Sequence, residues 1–172
     1  MRYYLDFDRT LFDTDTFTPY LRERFEGEAI NELPLVEFYA AINDLAKDGS
    51  LTFEPGELSR FLYPDAASFL REKENAVTII TFGNKEFQEI KVKSALQGIP
   101  RMSVMYTGEV RKGEFLAPHT HLHNDAVLVD DSPVELEILG AQCPSLQLFE
   151  MRRDGGEGDG RWAVIRVLSE LP

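Results

Sequence analysis

Two carboxylates two positions apart, Asp6 and Asp8, and a second acidic pair, Asp130-Asp131, are the side chains here best suited to chemistry. Carboxylates this close repel, and a divalent cation between them is the most direct relief. Few protein carboxylates, an oxygen shell and open water positions suit Mg2+ better than Ca2+ or Zn2+. With a metal present, the expected substrate group is a phosphate. A carboxylate can attack phosphorus to form an aspartyl-phosphate, and a second carboxylic acid can protonate the leaving oxygen and later activate water. The transferring oxygens then need stabilising charge. Thr81 offers a hydroxyl, Phe82, Gly83 and Asn84 offer backbone N–H groups at a helix start, and Lys112 offers a fixed positive charge.

Each of the three main motifs follows an apolar run that reads as a strand: Tyr3 to Leu5, Val77 to Ile80 and Ala126 to Val129. Unbroken apolar character is what a strand covered on both faces shows. Strands are expected over 2–6, 77–81, 103–106, 126–130 and 146–150, with a short edge segment over 162–168. Between them the sequence predicts a helix over Ala66–Glu74 capped by Asp65, and one over Lys85–Leu96 capped by Asn84. A third starts at Ser132 as N-cap, with Pro133 in first position and Glu135 closing a capping box, and ends at Gly140. Residues 107–125 read as loop, broken by Gly108, Gly113 and Pro118, and 155–160 as a glycine-rich mobile loop. From 13 to 63 the period is helical, with Leu35, Phe38, Ile42 and Leu45 on one stripe, Gly49 as a stop, and shorter helices over Phe17–Phe25 and Pro55–Leu62. The expected class is therefore α/β: a Rossmann-like parallel sheet of about five strands flanked by helices. Residues 1–12 and 64–172 form its core, and a helical insertion over 13–63 follows the first strand. Ligands bind such sheets at the carboxyl ends of the strands, where Asp6, Thr81 and Asp130-Asp131 fall.

Asp6-Phe7-Asp8-Arg9-Thr10-Leu11-Phe12 resembles the first motif of the haloacid dehalogenase superfamily in its phosphatase form. The run ending in Thr81 resembles the second motif, Lys112 the motif lysine, and Val129-Asp130-Asp131-Ser132-Pro133 the fourth. The order fits, and the resemblance spans nearly the whole chain. Position by position it implies Asp6 as nucleophile, Asp8 as general acid and then base, and Thr81 and Lys112 as phosphate binders. It implies Mg2+ held by the Asp6 side chain, the Asp8 carbonyl and a fourth-motif aspartate. Asp131 is favoured as that ligand, with Asp130, Thr10 and Asn84 in support. Residues 13–63 stand where the family carries its helical cap. The activity implied is Mg2+-dependent hydrolysis of a small phosphomonoester, a sugar phosphate or a nucleotide.

Two rival readings stand beside this one. A phosphomutase shares the two-aspartate motif, and a non-catalytic phospho-ligand or protein-binding module needs neither acid. Thr81 is explained about as well by strand propensity. Lys85, Lys91 and Lys93 compete with Lys112, although Lys91 and Lys93 read as solvated residues on a helix. His119, His121 and His123 read as a polar loop near the rim of the site rather than a zinc centre. Cys143 reads as a small packed residue. Lys plus Arg number 18 against 30 Asp plus Glu, a formal charge of −12, which argues against nonspecific binding to nucleic acid or anionic membrane. A lone cysteine excludes an intrachain disulfide and fits a reducing cytoplasm. The acidic start lacks a signal-peptide core, and no stretch is long enough to span a membrane.

Overall fold

The computed structural model describes residues 1–100, 102–158 and 160–172. Six strands among them form one sheet: β1 (Arg2–Leu5), β2 (Val77–Thr81), β3 (Ser103–Tyr106), β4 (Ala126–Asp130), β5 (Gln147–Met151) and β6 (Ala163–Ile165). Their order is β3-β2-β1-β4-β5-β6, and every neighbouring pair is parallel. The expected edge segment supplies β6, one strand more than the five expected.

The register sets Leu5 beside Ile79 and Val129, and Tyr4 beside Leu128. Side chains alternate between the faces of a strand, so the two sets point opposite ways. On the first face Tyr3, Leu5, Val77, Ile79, Val127 and Val129 pack under α1 (Thr14–Glu23), α2 (Leu35–Lys47), α3 (Pro64–Glu72) and α4 (Lys85–Ala95). On the second, Tyr4, Ile80 and Leu128 pack under α5 (Lys112–Leu116) and α6 (Pro133–Gln142). Helices on both faces explain why β1, β2 and β4 carry continuous apolar runs. Phe17 and Leu21 of α1, and Phe38 and Ile42 of α2, lie in the same apolar cluster as the sheet residues. The order reverses between β1 and β4, and the crevice beyond their carboxyl ends is where this architecture binds ligands.

Several local expectations are corrected by partners far away in sequence. Tyr63 rather than Asp65 caps α3, with Pro64 in its first turn. Residues 57–61 form a 3-10 turn where a helix over Pro55–Leu62 was expected. Leu35 opens α2 but is exposed, so the buried stripe is Phe38, Ile42 and Ala46. Ser132 does cap α6, but Glu135 does not close the capping box. Its carboxylate accepts from the Lys112 amide at 3.0 Å and pairs with Arg111 at 2.7 Å. Gly140 lies inside α6 instead of ending it, and a Cβ there would meet the Trp162 ring at 2.7 Å. The 155–160 run forms no regular element among its described residues, and Asp159 lies outside them.

Gly113 does not break the chain but sits inside α5, pressed onto α6. A Cβ there would come 2.8 Å from Ile138 Cγ2 and 3.0 Å from the Ile138 carbonyl. Backbone cannot yield as a flexible side chain does, so Gly113→Ala is expected to overpack this contact by about 2 kcal/mol. That corresponds to a melting temperature lower by roughly 4–8 °C. An unchanged thermal melt would show that the helices do not approach so closely.

Candidate active site

Asp6 directly follows β1, Asp130 ends β4, and Thr81 ends β2, so the central crevice gathers all three. Lys112, the first residue of α5, is buried between the two carboxylates. Its Nζ donates to Asp6 Oδ1 and Asp130 Oδ2, each at 2.5 Å. Asp130 Oδ1 accepts from the Ser132 amide at 2.9 Å, so both oxygens of Asp130 are engaged. Asp6 Oδ2 and Thr81 Oγ1 are buried with no hydrogen-bond partner, as are Thr10 Oγ1 and Thr107 Oγ1. Buried polar atoms normally find partners, and such orphans in a crevice mark where another molecule binds.

Asp6, Asp130 and Asp131 each offer an oxygen within 4.8 Å of the others. The electrostatics follow from this crowding. Burial pushes Asp6 well above the usual carboxylate range; Lys112 opposes the rise, and Asp130, Asp131 and Asp8 add to it. Burial and then Asp130 push Asp131 up to about 6, against Lys112 and Arg9. Burial works against the Lys112 ammonium, but Asp130 and Asp6 outweigh it and hold Lys112 charged. One lysine does not neutralise three adjacent acids. The orphaned Asp6 Oδ2 and the neighbouring Asp131 carboxylate, braced by Asp130, fit a hard divalent cation.

Asp8 is turned elsewhere. Its carboxylate accepts from Lys91 Nζ at 2.6 and 2.9 Å, from Gln88 Nε2 at 2.9 Å and from Thr14 Oγ1 at 2.6 Å. Burial alone would raise its pKa, but Lys91, Thr14 and Gln88 together lower it. The resting side chain is therefore a carboxylate, not the protonated acid that the first step of the expected mechanism needs. Lys91 itself corrects the sequence reading. It is 3 % exposed and surrounded by the Phe7, Phe12, Phe17 and Phe87 rings, at 4.9 to 6.0 Å from their centres. The signal was present in the helical spacing, since Phe87, Gln88, Lys91 and Val92 form one buried stripe of α4. Lys93 is exposed, as expected.

The phosphate-side amides are only partly on offer. The Gly83 N–H donates to the Gly108 carbonyl at 2.8 Å, so it is not the free donor expected. Asn84 caps α4 by accepting from the Phe87 amide at 2.9 Å, and its side-chain oxygen is spent there. Phe82 lies under the Arg111 guanidinium, 4.8 Å from ring centre.

Arg153 was not singled out in the sequence, yet it anchors the loop carrying Asp6 and Asp8. Its Nε and Nη2 donate to the Thr10 carbonyl at 3.1 and 2.7 Å, and its Nη1 pairs with Asp65 at 2.8 Å. Asp65 also accepts from the Leu168 amide at 2.7 Å. Arg9, in the same loop, has a φ of 58°. The histidine loop lies away from this crevice. The His121 and Leu122 carbonyls accept from Arg2 and Tyr4 of β1, toward the amino end of the sheet, and His123 is buried against the Leu116 carbonyl. The expected place at the rim of the site is thus corrected: the loop borders the opposite end of the sheet.

Among the described residues no helix is long and apolar enough to cross a membrane. No family model matches the sequence, and no curated protein matches it. Solved structures do resemble it. A Bacillus subtilis protein, YfnB, described as a HAD-type hydrolase and bound to magnesium, superimposes with a TM-score of 0.63 at 17% identity, over 99% of this chain and 96% of that one. A haloacid dehalogenase-like family hydrolase from Xanthomonas campestris gives 0.59 at 15% identity, over 100% and 92%. A dehalogenase solved with an intermediate complex gives 0.64 at 18% identity, over 99% and 94%. With its parallel six-stranded sheet flanked by helices, the chain therefore has the haloacid dehalogenase-like hydrolase fold.

Proposed function

We propose that the protein is a Mg2+-dependent phosphomonoesterase that works through an aspartyl-phosphate on Asp6 and acts on a small phosphorylated metabolite. The observation that carries this reading is the pair of buried, partnerless oxygens, Asp6 Oδ2 and Thr81 Oγ1, beside an ammonium and a three-carboxylate cluster. Asp6 and Asp131, with the Asp8 carbonyl in support, would hold the metal; Asp130 is tied to Lys112 and braces the set. Bound there, Mg2+ supplies positive charge that keeps Asp6 ionised at neutral pH and offsets charge on the phosphoryl oxygens.

In the first step a carboxylate oxygen of Asp6 bonds to phosphorus, the bond from phosphorus to the alcohol oxygen breaks, and that oxygen takes a proton. In the second, water attacks phosphorus, its proton passes to Asp8, and the acyl-phosphate bond breaks to free Asp6. Asp8, as Lys91 and Gln88 hold it, is ready as the base of the second step. To serve the departing alcohol it must first take up a proton. Lys112 and Thr81 hold the phosphoryl oxygens. Residues 13–63 act as the cap that selects the leaving group. A reducing, cytoplasmic setting suits the one cysteine, Cys143, which is buried and free.

The test is phosphate release from a panel of aryl, sugar and nucleoside monophosphates, with Mg2+ and with EDTA. We expect turnover with Mg2+ and its loss on chelation. Chloride release from 2-haloacids without phosphate release would replace the reading with a dehalogenase, an activity that one of the similar structures bears in its name.

A further inference from the structure

A cavity of about 220 Å3 opens beside Asp131, between the motif loop, Tyr63 at the start of α3, and the segment after β5. Three arginines line it: Arg9, Arg152 and Arg153. Arg153 is spent on Thr10, Asp65 and the Arg166 carbonyl. The other two keep free donors beside their ion pairs with Asp15 and Glu150. Arg9 gives Nε and Nη2 to a single oxygen, Asp15 Oδ1, at 3.0 and 2.9 Å, which leaves its Nη1 uncommitted. Arg152 faces Glu150 through Nε at 3.0 Å without hydrogen-bond geometry, and its Nη atoms bind nothing among the described residues. The aspartates in the lining are already committed. Asp15 takes Arg9, Asp154 accepts from the Gly156 amide, and Asp131 belongs to the candidate metal cluster.

The backbone at Arg9 is a second, independent observation. Its φ of 58° is left-handed, a conformation that glycine adopts freely and that costs an L side chain energy. A non-glycine residue kept in such a conformation directly after Asp8 calls for a functional reason. A planar guanidinium is suited to bidentate recognition of carboxylate and phosphate. Because the cavity abuts Asp131, whatever fills it lies beside the reacting phosphoryl group. Its volume is below the roughly 300–1,000 Å3 of pockets for drug-sized ligands, which suits a leaving group of a few heavy atoms rather than a nucleoside.

We propose that this cavity takes a second anionic group, a carboxylate or a phosphate, on the alcohol part of the substrate, with Arg9 and Arg152 as its specificity-determining donors. The proposal rests on the phosphatase reading above and narrows it to small phosphomonoesters that carry a further negative charge.

The experiment compares kcat/KM for 3-phosphoglycerate and propane-1,3-diol bisphosphate with that for glycerol 3-phosphate, in the wild type and in Arg9→Gly. An aryl phosphate serves as the reference for hydrolysis itself. A charge-assisted hydrogen bond corresponds to about tenfold or more in affinity. The wild type should therefore favour at least one doubly anionic substrate by about that factor, and the preferred arm tells carboxylate from phosphate. Arg9→Gly should bring the ratio close to one, chiefly through KM, and it should stay folded because glycine takes the observed φ without strain. Hydrolysis of the aryl phosphate with a wild-type ratio near one, or an equal loss on all substrates in Arg9→Gly, would overturn the subsite alone. No release from any substrate, the aryl phosphate included, would overturn the phosphatase reading and the subsite with it.

Discussion

Asp6→Asn should lower phosphate release by at least about 10^4-fold while the protein stays folded. Removing a nucleophile costs an enzyme of this type most of its rate enhancement, because an amide oxygen does not form the covalent intermediate. The fold should tolerate the change for a reason specific to this site. Asp6 lies within a cluster whose carboxylates repel one another, and an amide at this position can still accept from Lys112. Without metal the variant should melt at or above the wild-type temperature. Residual turnover near the wild-type level would remove Asp6 from the mechanism, whatever the thermal melt shows.

Lys112→Met should have the opposite signature, with stability and activity lost together. Lys112 is 2 % exposed and bridges two buried carboxylates. Taking one partner from a buried ion pair leaves uncompensated charge and typically costs about 3–5 kcal/mol. For a chain of this length that is a fall of roughly 6–20 °C in melting temperature. Millimolar Mg2+ should restore part of the loss, since a ligand at about 100 times its Kd adds roughly 2.7 kcal/mol to the folded state. The rescue should exceed the shift Mg2+ gives the wild type, because the cation enters a cluster that has lost its ammonium. A variant that melts like the wild type would mean Lys112 is not the residue balancing these acids.

Asp6 was readable from a local pattern, whereas Lys112 came only through the family resemblance, in a stretch read as loop that forms α5. Asp6 ends an apolar run, and β2, β3 and β4 have the ends that their runs indicate. Runs of this kind are unambiguous when both faces of a strand are covered. Lys91 was legible only in retrospect. A lysine on a helix reads as solvated until Asp8, 83 residues away, is known to lie opposite it. Arg153 had no local signal, because its partner Thr10 is 143 residues distant and offers a backbone carbonyl, which no side-chain pattern records. Glu135 shows a third kind of limit. The capping-box motif is present, but the Lys112 amide competes for the same carboxylate and takes it. Gly113 and Gly140 read as breaks because the sequence does not show that another helix or a tryptophan ring needs the space.

The central place of β1 has a consequence for how the chain is made. β1 is synthesised before both of its neighbours, β2 at 77–81 and β4 at 126–130. At a synthesis rate of about 5–20 residues per second, β4 follows β1 by roughly 6–25 s. Throughout that interval Tyr3-Tyr4-Leu5 lacks at least one of its two partners and presents an open, apolar edge to the cell. The aspartate proposed to attack phosphorus thus sits at the tip of the segment most in need of protection on the ribosome.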